Sequence, residues 1–150
     1  QYLIYCTSCE LSRERLNEVT VMLRVISELE EICDNAYDLV KLAERKYRKQ
    51  RVLPAETQEA IRNFCGPVDQ FMGFYIQCLR KKVTHAEIET AMQLEETIDA
   101  SRKKLRREAV RRMSDPANIK SEMLYIDILN NIESIGDHSL NILKLLSQID

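Results

Sequence analysis

A chain of 150 residues with 45% apolar and 31% charged side chains can form one domain with a full hydrophobic core. Only three glycines and three prolines are present, too little turn material for an all-β sandwich or barrel. The net charge of −2 gives no global attraction to nucleic acid or anionic membrane, and no run of 18 apolar residues is available to span a bilayer.

Residues 1–10 read as the tail of a helix, and the start at Gln1 without Met leads us to expect a piece of a larger protein. No signal-peptide pattern opens the chain. Cys6-Thr7-Ser8-Cys9 has C-x-x-C spacing, but neither His85 nor His138 stands where a zinc site needs it. With Cys33, Cys65 and Cys78 the cysteines number five and are scattered through helical patterns. They read as reduced and mostly buried, hence cytoplasmic.

Ser12 can cap a helix from about Arg13. Leu16, Val19, Leu23, Ile26, Cys33, Tyr37 and Val40 form one apolar stripe, and Met22, Val25, Leu29, Ile32, Ala36, Leu39 and Ala43 a second. Two adjacent stripes predict a wide apolar face inside a bundle. The helix runs to the basic segment Arg45 to Lys49, about 60 Å at ~1.5 Å per residue. Pro54 ends it and starts the next helix, about Ala55 to Lys82, where Gly66-Pro67 predicts a kink or short break. Thr84 and Glu87 form a capping-box pattern before a third helix, about Ala86 to Met113. Ser114-Asp115-Pro116-Ala117 stops it, and a fourth helix runs from about Ala117 to Leu146. Short turns imply antiparallel neighbours, so the fold class is an all-α, antiparallel up-down bundle.

One frame occurs twice. Leu29-Glu30-Glu31-Ile32-Cys33-Asp34 aligns with Ile132-Glu133-Ser134-Ile135-Gly136-Asp137 at an offset of 103 residues, and Asp38 aligns with Asn141. Each copy places oxygen donors one turn apart on one helix face: Glu30, Asp34 and Asp38, then Glu133, Asp137 and Asn141. Unpaired carboxylates at i, i+4 repel, so a bound cation is one economical explanation and salt bridges with Arg and Lys are the other. Glu95 and Asp99 form a third such pair. The His of a Glu-x-x-His di-iron site is absent, because Gly136 follows Glu133 at i+3. Gly136, costly in a helix, points to a closely packed neighbour or to room for a ligand beside Asp137. His138 can be a further ligand, but an outward-facing or capping role is the commoner one for such a histidine. The basic run from Arg102 to Arg112 has no interleaved aromatic for base stacking and reads as a solvated face, open to an acidic partner or phosphate. No nucleophile stands beside a base, so the chain does not read as an enzyme.

The segment Ile132-Glu133-Ser134-Ile135-Gly136-Asp137-His138-Ser139-Leu140-Asn141-Ile142 closely resembles the motif of the PhoU family, usually Leu-Glu-Arg-Ile-Gly-Asp-His-Ala-x-Asn-Ile. The resemblance implies two three-helix repeats about a hundred residues apart. The first repeat is then represented by its last part, residues 1–50, and the second by residues 55–150, in one compact domain. It implies metal binding (iron, zinc, manganese or another divalent ion) through Glu30 and Asp34, and through Glu133 and Asp137, with Glu95 and Asp99 matching acids of the middle helix. The first copy departs from the motif, with Glu31 for Arg, Cys33 for Gly and Asp38 for Asn. The resemblance further implies a bacterial, dimeric, cytoplasmic regulatory domain of phosphate transport. Of its two kinds, the domain attached to a sodium/phosphate cotransporter fits the degenerate first repeat better than the free-standing regulator of phosphate uptake. A structural helical domain without metal is the remaining reading.

Overall fold

The computed structural model describes residues 12–149, and within them every regular element is an α-helix: α1 (Arg13–Arg48), α2 (Ala55–Cys78), α3 (His85–Arg112) and α4 (Ile119–Leu146). The expected tail helix and the Cys6–Cys9 pair lie outside the described residues. Of the described cysteines Cys78 is buried, but Cys33 is exposed, against expectation.

Each boundary has a local cause. The Ser12 hydroxyl accepts from Arg15 N, and Thr84 and Glu87 complete the expected capping box. α1 stops before Pro54 is reached. Gln50 turns into the left-handed region at φ 47°, while Arg51 N donates to Lys46 O and Gln50 N to Tyr47 O. This is a Schellman stop with glutamine where glycine is preferred. Pro54 then serves as the N-cap of α2. The expected break at Gly66-Pro67 does not occur; α2 runs through it, because Phe64, Val68 and Phe71 hold both sides in the core.

Helices α2, α3 and α4 pack mutually as a three-helix bundle. Phe71, Ile98, Tyr125, Leu129 and Leu143 are fully buried at its centre. α1 packs along α4 alone, antiparallel, despite its short connection to α2. Leu42 also joins a small cluster with Leu53 and Leu124, against which Ile61 rests.

The 103-residue offset explains this arrangement. On α1 the side facing α4 is Val21, Val25, Glu28, Ile32, Asn35, Leu39 and Leu42, a strict 4-3 spacing. Adding 103 gives Leu124, Ile128, Asn131, Ile135, His138, Ile142 and Leu145, all buried or half-buried on α4. The two helices therefore meet through equivalent seams. The other face of α4 fills the three-helix core with Tyr125, Leu129, Leu140 and Leu143. Their equivalents Met22, Ile26, Tyr37 and Val40 are exposed, Tyr37 by 61% and Val40 by 54%. The expectation that both α1 stripes lie inside a bundle is thus corrected: periodicity marks an apolar face, and only one face of α1 has a partner.

Candidate functional site

The middle of the α3–α4 interface carries four carboxylates: Glu95 and Asp99 from α3, Glu133 and Asp137 from α4. Each pair sits at i, i+4 and so shares a helix face. Two cations compensate them. Arg102 Nη2 donates to Asp99 Oδ1 at 2.8 Å, and Lys103 pairs with the other oxygen of the same carboxylate. Arg102 Nε lies 3.3 Å from Glu133 Oε1, but off the hydrogen-bonding direction, so this buried N–H has no acceptor.

The electrostatics divide the cluster. The hydrogen bonds from Lys103 and Arg102 hold Asp99 below the usual carboxylate range against the opposing effect of burial. Burial pushes Glu133 up, with Asp99 and Asp137 adding to the shift and Arg102 opposing it. Glu95 is also raised, first by burial and then by Asp137, Asp99 and Glu133, with Lys144 acting against them. Glu95 borders an open groove of about 690 Å³ beside Glu89, Glu96, Leu140 and Lys144, and Asp137 is exposed. One end of the cluster is therefore paired with cations, while Glu95 and Asp137 at the other make no ion pair among the described residues and lie within reach of solvent.

The first copy is different. Glu30, Asp34 and Asp38 are exposed on α1 and are not brought to the α3–α4 acids. Asp38 pairs with Lys41 on its own helix at 3.1 Å. The α1 carboxylate that does face the second motif is Glu28. Its Oε2 lies 2.8 Å from His138 Nδ1 and accepts from Asn141 Nδ2 at 3.3 Å. A carboxylate of this kind accepts, which puts the imidazole proton on Nδ1. Neither the outward-facing nor the capping role expected of His138 holds: it is half-buried and ties α4 to α1. Glu28 was missed because it lies outside the repeated motif. The signal was available, since it interrupts the 4-3 apolar seam between Val25 and Ile32.

Gly136 is buried opposite Ile98 and Phe71, where an added Cβ would stand 3.8 and 4.0 Å from their Cδ1 atoms. These are ordinary contacts, so the glycine does not mark an exceptionally close helix approach. The basic run of α3 is also not uniformly solvated. Arg102 joins the acid cluster, and Arg112 grips buried Glu122 with two hydrogen bonds of 2.8 and 2.9 Å.

As a donor set the four carboxylates fit a hard divalent cation: they offer oxygen, and they exceed their two compensating cations by two charges. In the arrangement described, no three His, Cys, Asp or Glu side chains among the described residues converge closely enough to hold a metal ion. Arg102 stands between Asp99 and Glu133, so a bound cation requires that arginine to release Glu133, to which its Nε–H makes no hydrogen bond.

Comparison with curated proteins and with solved structures returns no match. The PhoU domain family matches residues 71–146, the stretch that contains α3, α4 and the whole acid cluster. That match covers just over half of the chain, and the chain belongs to the PhoU domain family.

Proposed function

We propose that this domain controls phosphate transport from the cytoplasmic side, by binding rather than by turnover, and that the α3–α4 acid cluster is its cation-responsive element. PhoU domains are regulatory rather than enzymatic, which supports the first part. The observation that carries the second is the uneven pairing of the cluster: Arg102 and Lys103 serve Asp99 and Glu133, while Glu95 and Asp137 make no ion pair among the described residues. Glu95, Asp137 and a released Glu133 would hold a divalent ion there, and the ion would supply charge neutralisation and a link between α3 and α4. Glu30, Asp34 and Asp38, spread along an exposed face, serve at most as a secondary site.

Attachment to a sodium-dependent phosphate cotransporter is part of the proposal. It rests on the departures of the first motif from the family pattern. The two-repeat reading is supported by the equivalent seams of α1 and α4. The outer stripe of α1 is then the counterpart of the α4 face that packs on α2 and α3.

The test is phosphate uptake by cells carrying the native gene or the Glu133→Gln/Asp137→Asn variant, across a range of external phosphate. The proposal expects uptake in the variant to lose its dependence on external phosphate. Unchanged uptake, with normal levels of folded protein, refutes it.

A further inference from the structure

We propose that the end of the bundle where α1 and α3 finish and α4 begins is a docking surface for an anionic lipid bilayer. This rests on surface chemistry alone and is independent of the function proposed above.

Three contacts bring these segments together. Arg45 pairs with Asp127, Arg51 Nη1 donates to Lys120 O, and Arg112 pairs with Glu122. Residues 44–56 and 106–127 thus form one end of the molecule. They hold ten cations and six carboxylates, so this end carries +4 while the chain as a whole carries −2. Many of these cations are unspent: Arg48, Lys49, Lys120, Arg106, Arg107 and Arg111 make no ion pair among the described residues. The low net charge of the chain therefore conceals a strongly polarised molecule.

Charge alone would suit any polyanion, and the apolar residues make the choice. Tyr47 is 88% exposed and Val52 81% exposed, on the two sides of the Gln50 turn and next to Arg48, Lys49 and Arg51. Val52 also lines a cleft of about 480 Å³ with Lys49, Arg51 and Lys120, in which no acid stands. A projecting tyrosine and valine ringed by cations match the boundary between headgroups and acyl chains, where amphipathic rings settle and cations meet lipid phosphates. A single-stranded nucleic acid would instead call for stacking aromatics along a groove, and none lies on the basic face of α3. No helix is long and apolar enough to cross a membrane, so the contact is peripheral.

The test uses co-sedimentation of the purified chain with vesicles of equimolar phosphatidylglycerol and phosphatidylcholine, and with pure phosphatidylcholine vesicles. Binding is expected to the anionic vesicles only, and to weaken with salt. At about 1 kcal/mol per surface cation, the Lys49→Glu/Arg51→Glu/Lys120→Glu variant loses at least ~100-fold in affinity. The chain has no tryptophan, so a Val52→Trp reporter shows by a blue shift whether this tip enters the bilayer; its emission also confirms binding independently of the charge variant. Absence of binding to anionic vesicles at low salt overturns the proposal. So does equal binding by the charge variant. Binding to soluble polyglutamate as tight as to vesicles, with unshifted Val52→Trp emission, overturns it in favour of an acidic protein partner.

Discussion

Gly136→Ala probes the packing that holds the acid cluster in place. Glycine in a helix interior is less stable than alanine by about 1 kcal/mol, because it loses more backbone freedom on folding. Gly136 lies in the interior of α4, with a helical backbone and no positive φ. The added methyl would meet Ile98 and Phe71 at 3.8 and 4.0 Å, close enough for dispersion contact and too far for overpacking. Since the site is already buried, the methyl also gains up to ~0.8 kcal/mol of transfer free energy. The sum is a stabilisation of about 1–1.5 kcal/mol, or roughly 2–6 °C in Tm for a chain of this size. Thermal melting followed by circular dichroism, together with urea unfolding, measures it. A Tm lowered by several degrees would refute the reasoning and show that α4 approaches α2 and α3 more closely than described. Because Asp137 is adjacent to Gly136, the same variant reports on function. Raised stability with reduced cation binding would assign the glycine to the ligand.

Other perturbations follow from the same physics. The folded-state pKa of Glu95 is raised, so this group's contribution to stability is present below its unfolded value and declines as pH rises through the folded one. Glu95→Gln removes that decline: by melting, it matches the native chain in acid and exceeds it at neutral pH, because burial first, and then three like-charge neighbours, disfavour the native carboxylate. Arg112→Met strands Glu122, whose side chain is only 3% exposed, and costs about 3–5 kcal/mol in urea unfolding, with most of it recovered in Arg112→Met/Glu122→Leu. Gln50→Gly relieves a left-handed residue and raises stability by about 1 kcal/mol in the same assay. Arg102→Gln leaves Glu133 without its neighbouring cation, so it lowers Tm without metal and strengthens manganese binding measured by calorimetry.

Much of the fold was legible because helices announce themselves by local rules. The Thr84–Glu87 box and the 3.6-residue periodicity act within one or two turns and need no tertiary information. What failed depends on partners. The apolar stripes of α1 were plain, but no local rule says that Met22, Ile26 and Val40 lack a neighbour while Val21 and Val25 have one. The repeat puts Glu30 and Asp34 on α1 and Glu133 and Asp137 on α4, yet the antiparallel packing of α1 on α4 leaves Glu30 and Asp34 exposed and away from Glu133. The antiparallel register chooses Glu28 instead, through the 4-3 seam. Arg102 was invisible as a site residue because a basic run reads as surface. Its role comes from lying three residues after Asp99 and across from Glu133.

The central claim is that the α3–α4 carboxylates hold a cation. Elemental analysis of protein purified without chelator or nickel resin tests it most directly, beside the Glu133→Gln/Asp137→Asn variant. The account predicts near-stoichiometric divalent metal in the native chain, its loss in the variant, and a rise in Tm on adding manganese that the variant does not show. No metal in either, with no response to manganese, would contradict it and leave Arg102 and Lys103 as the cluster's only cations.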